Sequence, residues 1–125
     1  MQEQAPGRVT KLVMVVEDNH FIRDIIAEAL ATNGFEILTA GDGFQALDQL
    51  ARFRLPSMVV VDLGLPHLDG RGFIRALRAD PRWAHLPVIA LSPEPNMEPP
   101  ENVVAVMRKP VDLLGLVDRV RRHAR

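Results

Sequence analysis

The chain has no cysteine at all. Disulfides, thiolate nucleophiles and Cys-based zinc or iron–sulfur sites are therefore excluded, and the composition fits a reducing compartment. Lysine is almost absent as well: Lys11 and Lys109 are the only two, against thirteen arginines. Any chemistry that needs an ammonium group has few candidates. No apolar run approaches the roughly 20 residues of a membrane-spanning helix. The opening stretch, MQEQAPGRVTK, lacks the apolar core of a secretory signal, so a cytoplasmic location without membrane association is expected. The net charge is only −1, which gives no general pull toward nucleic acid. There is no internal repeat and no linker. The 125 residues, 47% of them hydrophobic and 25% charged, suit one globular domain with one core. Residues 1–10, broken by Pro6-Gly7, read as a flexible tail, and 11–125 as a single domain.

What is present centres on Met58 to Gly70, MVVVDLGLPHLDG. Met58 to Val61 run apolar without alternation, the pattern of a strand buried on both faces of a parallel sheet. The run ends on Asp62 and leaves through a loop marked by Gly64, Pro66 and Asp69-Gly70. A second such run, Leu12 to Val16, ends on Glu17-Asp18. Asn19 then caps a helix with Ile22, Ile25, Ile26, Ala29 and Leu30 on one face, stopped by Asn33-Gly34. Phe35 to Thr39 reads as a short strand, and the charged Glu36 within it suggests a sheet edge. Asp42-Gly43 turns the chain into a helix with Phe44, Leu47, Leu50 and Ala51 as its apolar face. Asp69 caps a further helix bearing Phe73, Ile74 and Leu77. Leu86 to Leu91 forms a fourth strand, followed by Ser92. Val103 to Met107 forms a fifth, followed by Arg108-Lys109-Pro110. The last helix starts near Asp112 and turns Leu113, Leu116, Val117 and Val120 inward. Strand and helix alternate about five times, which predicts an α/β fold with a parallel sheet and helices on both faces.

The carboxyl ends of parallel strands gather on one edge of the sheet, where such folds bind ligands. Glu17, Asp18, Asp62, Ser92 and Lys109 all follow strand ends and are expected to converge there. Several carboxylates together call for a hard divalent cation, Mg²⁺ or Mn²⁺. With an ammonium and a hydroxyl beside them, the set suits phosphoryl transfer with a carboxylate as nucleophile. His20, His67, His85 and His123 lack metal-ligand spacing. Met14, Met58 and Met107 read as core, and Trp83 as loop packing.

The ordered set of Glu17-Asp18, Asp62 after VVVD, Leu65-Pro66 with Asp69-Gly70, Ser92 and Lys109-Pro110 resembles the receiver domain of two-component response regulators. The likeness extends from about Lys11 to Arg122. It implies a flavodoxin-like, five-stranded sheet of order 2-1-3-4-5. Asp62 would accept the phosphoryl group of a histidine kinase's phosphohistidine or of a phosphotransfer protein. Asp18, Asp62 and the backbone carbonyl of Gly64 would hold Mg²⁺, with Glu17 acting through water. Ser92 and Lys109 would contact the phosphoryl oxygens, and the bond into Pro110 would be cis. The output would be binding to a protein partner. The chain would not be an enzyme beyond its own phosphorylation and slow dephosphorylation, and would not bind nucleic acid directly.

Three departures from the family pattern stand out. Pro93 follows Ser92 where the family usually has a small residue whose backbone N–H donates to the phosphoryl group. Proline has no N–H, so the phosphorylated state should lose about 1–3 kcal/mol of stabilisation. The span 93–102 is short and holds four prolines, so the helix that the family places between its fourth and fifth strands is predicted missing or very short. The aromatic switch position three residues before the lysine is Val106, too small for the family's ring movement. An atypical, receiver-like interaction domain with weak or no switching is therefore an alternative reading. A remote one is an aspartyl-phosphate hydrolase, which usually needs a second acid where Gly64 stands.

Overall fold

The computed structural model describes residues 10–94, 100 and 102–124. Five parallel strands form one sheet in the order β2-β1-β3-β4-β5: β1 (Leu12–Val16), β2 (Glu36–Ala40), β3 (Met58–Asp62), β4 (Val88–Ser92) and β5 (Ala105–Arg108). Among the described residues there are four helices: α1 (His20–Thr32), α2 (Gly43–Arg52), α3 (Gly70–Ala79) and α4 (Leu113–His123). The predicted fold and strand order are those observed. Of the proline-rich span 93–102, residues 95–99 and 101 lie outside the described residues, as do 1–9 of the expected tail. No helix is found between β4 and β5 among the residues that are described.

The continuous apolar runs have a simple cause. The central strand β3 is buried along its whole length, and alternate residues serve opposite faces. Val13, Val15, Met58, Val60, Ile89 and Leu91 pack under α1 and α4 with Ile26, Leu30, Leu116 and Val120. Met14, Val16, Val59, Val61, Val88 and Ala90 pack under α2 and α3 with Ala46, Leu50, Phe73, Leu77 and Trp83. Each fully buried side chain of this size contributes about 1.5–3 kcal/mol relative to leaving it in water. Glu36 is indeed at an edge, exposed on β2 and paired with Arg54.

Two helical faces differ from expectation. Ile25 is 51% exposed, whereas the other members of the expected α1 face hold: Ile26 and Leu30 are buried, with Ile22 and Ala29 packed against the same core. Phe44 is 60% exposed and Ala51 is also exposed, whereas Gly43, Ala46 and Leu50 are buried. α2 starts close to the loop after β3, where a Cβ on Gly43 would meet Leu68 at 3.0–3.2 Å. Met107 is only half-buried, because β5 is the other edge strand.

Side-chain caps fix where α1, α2 and α3 begin. The side-chain oxygens of Asn19, Asp42 and Asp69 accept from the backbone N–H groups of Ile22, Gln45 and Gly72 at 3.1, 2.8 and 2.7 Å. Each such cap stabilises its helix by about 1 kcal/mol. Asn19 and Asp42 come two or three residues after β1 and β2, and Asp69 closes the longer loop after β3, so they also fix the loops along the carboxyl edge of the sheet. Gly34 ends α1 at φ +94°, a conformation that costs glycine nothing.

Candidate phosphoacceptor site

The strand ladders continue one step past their ends, and that step delivers the polar groups. Glu17 N–H donates to the Ala40 carbonyl at 3.0 Å, Leu63 N–H to Leu91 at 2.9 Å, and Lys109 N–H to Ser92 at 3.0 Å. Glu17, Asp62, Ser92 and Lys109 are thereby held at the same edge. Glu17, Asp62 and Ser92 are almost completely buried.

Lys109 joins the acids. Its Nζ donates to Glu17 Oε1 at 2.7 Å and to Asp62 Oδ2 at 2.9 Å. Asp62 Oδ1 accepts from the backbone N–H of Gly64 at 2.9 Å. One carboxylate oxygen each from Glu17, Asp18 and Asp62 lies within 4.8 Å of the others. Three carboxylates thus face a single ammonium, and the cluster is short of positive charge.

The electrostatics record that shortage. Glu17 is pushed up to about 7, first by burial, against the pull of Lys109 and with further help from Asp62 and Asp18. Burial works to lower Lys109, but its hydrogen bonds and Coulomb attraction to Glu17 and Asp62 outweigh this and hold it above the ordinary lysine value. An all-oxygen, acid-rich pocket with a frustrated carboxylate fits a hard divalent cation.

Ser92 is at the site but its hydroxyl is engaged elsewhere. Oγ donates to the Glu94 carbonyl at 2.8 Å and accepts from the Glu94 N–H at 3.2 Å. Pro93 leans over Gly64: a Cβ on that glycine would stand 3.4 Å from Pro93 Cγ and 3.6 Å from Asp62 Oδ1. The Lys109–Pro110 peptide is cis. Val106 pairs with Ala90 and is partly buried against the α2–α3 side of the core. His20, His67 and His85 are exposed. Trp83 is buried at the foot of that same core, with the Arg82 guanidinium 4.3 Å above its ring.

Sequence reasoning passed over Arg23, whose Nη1 donates to the Glu17 carbonyl at 3.1 Å. The available signal was its place one turn past the Asn19 cap, where a long cation on α1 reaches back toward the acid pair. It places Gly70 in the Asp69-Gly70 loop motif, but does not show its close approach to the Asp62 backbone.

Residues 13–121 match the family described as the response regulator receiver domain. The Polar-differentiation response regulator DivK of Brucella abortus is 34% identical over 84 residues, 67% of this chain and 68% of that protein. A response regulator receiver protein from Pseudomonas putida superposes with a TM-score of 0.84 at 29% identity, covering 92% of this chain and 98% of that one. The receiver domain of sensor histidine kinase PA1611 from Pseudomonas aeruginosa, solved with a magnesium ion coordinated in its active site cleft, gives 0.82 at 27% identity over 92% and 98%. The chain belongs to the response regulator receiver family of two-component signalling. Members of that family bind Mg²⁺ through an acidic pocket, interact with histidine kinases or phosphotransfer proteins, and are generally not enzymes. Among the described residues, no helix is long and apolar enough to cross a membrane.

Proposed function

We propose that this chain is a phosphoacceptor module in which Asp62 takes a phosphoryl group from the phosphohistidine of a histidine kinase or phosphotransfer protein. The observation that carries the reading is Lys109 Nζ lying 2.7 and 2.9 Å from the buried carboxylates of Glu17 and Asp62, with Asp18 beside them. Asp18, Asp62 and the Gly64 carbonyl would hold Mg²⁺, with Glu17 contributing through water. When bound, the ion would neutralise the acids and polarise a phosphoryl oxygen.

In the transfer, a carboxylate oxygen of Asp62 attacks phosphorus and a P–O bond forms. The P–N bond breaks, and its electron pair returns to the donor imidazole. Lys109, already bonded to Asp62 Oδ2, keeps its charge beside the incoming oxygens. Ser92 lies at the end of the adjacent strand and reaches those oxygens by leaving its turn with Glu94. Hydrolysis later returns the carboxylate and inorganic phosphate. Under this reading the protein works in the cytoplasm and signals by binding another protein.

A second reading, a receiver that switches weakly, is favoured by Pro93, which offers no N–H, and by Val106 in place of an aromatic ring. Incubation with Mg²⁺ and acetyl phosphate, followed by intact mass, tests the first. A gain of one phosphoryl group, absent in Asp62→Asn, supports it. No gain under saturating donor overturns it. Amide shifts on adding Mg²⁺ and beryllofluoride test the second, which fails if large shifts spread from the pocket to β5.

A further inference from the structure

Arg23 lies in the first turn of α1, and its backbone N–H donates to the Asn19 carbonyl at 2.9 Å. Its side chain turns back along the helix toward the end of β1. There Nη1 donates to the Glu17 carbonyl oxygen at 3.1 Å. The same atom passes 3.5 Å from where a Cβ on Gly41 would stand. Gly41 is in turn fixed by its N–H, which donates to Gln45 Oε1 at 2.8 Å. The guanidinium is therefore bonded to the loop after β1 and lies beside the loop after β2, where the lack of a side chain at Gly41 leaves it room.

The oxygen that Arg23 holds belongs to the peptide joining Glu17 to Asp18. Glu17 has other anchors: its N–H on Ala40, Lys109 on Oε1, and the Asn19 N–H 3.4 Å from Oε2. Asp18 is the exposed member of the acidic trio. The direction of its side chain depends on the peptide plane that precedes it. We propose that Arg23 is a positioning residue for the cation site: by gripping the Glu17–Asp18 peptide it keeps the Asp18 carboxylate turned toward those of Glu17 and Asp62. The inference rests on reading that cluster as a Mg²⁺ site.

Two effects oppose each other here. The charge of Arg23 repels a divalent cation, but the residue is partly exposed and this repulsion is screened. The group that orients a metal ligand typically matters by about 10–100-fold in metal affinity. Positioning therefore outweighs repulsion, and removing Arg23 weakens Mg²⁺ binding. A purely electrostatic role has the opposite sign.

The test is calorimetric titration of the full chain with Mg²⁺, comparing wild type, Arg23→Ala and Arg23→Lys, alongside amide hydrogen exchange without metal. Arg23→Ala is expected to bind Mg²⁺ about tenfold more weakly and to exchange the Asp18 amide faster. Arg23→Lys, whose ammonium can reach the same carbonyl, is expected to recover most of the affinity. Should Arg23→Ala not fold, Arg23→Met keeps the apolar stem without a donor and takes its place. Affinity equal to or tighter than wild type in the variant overturns the role of Arg23 alone. Absence of Mg²⁺ binding by the wild-type protein overturns the cation site, and this proposal with it.

Discussion

Gly70 sits against the backbone of Asp62 so closely that a Cβ at position 70 would stand 2.5 Å from the Asp62 carbonyl oxygen and 2.6 Å from the Cα of Leu63. These are backbone atoms at the end of a fully buried strand, and they cannot swing aside as a side-chain tip would. The first residue of α3 and the candidate phosphoacceptor are therefore packed main chain to main chain.

Replacing Gly70 by Ala is expected to destabilise the protein by about 1–3 kcal/mol, the usual range for overpacking a tight site. Because α3 has to move off Asp62, Mg²⁺ affinity should fall as well. Urea midpoints and a Mg²⁺ titration on the same variant check both. A stability within a few tenths of a kcal/mol of wild type would mean that the loop from Asp62 to Gly70 yields more easily than its packing implies.

Lys109 stabilises the metal-free pocket through two buried carboxylates at once. Lys109→Ala leaves both without their cation, and removing one partner of a buried pair costs about 3–5 kcal/mol. The loss should shrink when Mg²⁺ is added, and shrink again when Glu17→Gln is combined with Lys109→Ala. Thermal melts of the single and double variants, with and without Mg²⁺, measure the coupling. Additive losses would mean that Lys109 and Glu17 do not act as a unit.

Glu17 makes metal-free stability depend on pH. Its folded value is about 7, above the 4.5 of an ordinary glutamate. Between those values the unfolded chain has released this proton and the folded one retains it. Raising the pH through that window therefore favours unfolding. The destabilisation is absent below about pH 4.5 and fully developed above about pH 7. At 1.36 kcal/mol per pH unit, its size is on the order of 3 kcal/mol. Denaturant midpoints from pH 4.5 to 8 in EDTA should show the decline, and Glu17→Gln should flatten it. An unchanged slope in that variant would assign the effect to another group.

Much of this arrangement was legible because the residues that build the sheet and those that build the site obey different local rules. Runs such as VVVD and LVMVV mark buried parallel strands, and an acid at the end of each can only lie at the carboxyl edge. The helical faces were harder to read. Ile25 sits only about 100° from the buried Ile26 on α1, and Phe44 is apolar enough to be read into the α2 stripe, so hydrophobicity alone does not decide which positions turn inward. On α2 the buried positions are Gly43, Ala46 and Leu50, with Leu68 close against the start of the helix at Gly43. The role of Arg23 and the main-chain contact of Gly70 were not legible for a related reason. Both act on main-chain atoms of the site, and a backbone carbonyl has no letter in the sequence.

Pro93 offers a prediction in which two properties move in opposite directions. Its ring leans over Gly64 near Asp62 Oδ1, and the position lacks the N–H that a phosphoryl oxygen would accept from. Pro93→Ala restores that donor, worth about 1.5–3 kcal/mol when the acceptor is charged. The same change frees the unfolded chain and costs about 0.4–1 kcal/mol of stability. The variant should therefore melt slightly lower without ligand, yet bind beryllofluoride with Mg²⁺ about tenfold tighter or more. Paired melting and binding measurements separate the two effects. If stability drops while beryllofluoride affinity stays at the wild-type level, the restored N–H does not face the phosphoryl position. The reading of a weakly switching receiver would then rest on the engagement of Ser92 with Glu94 and on Val106 alone.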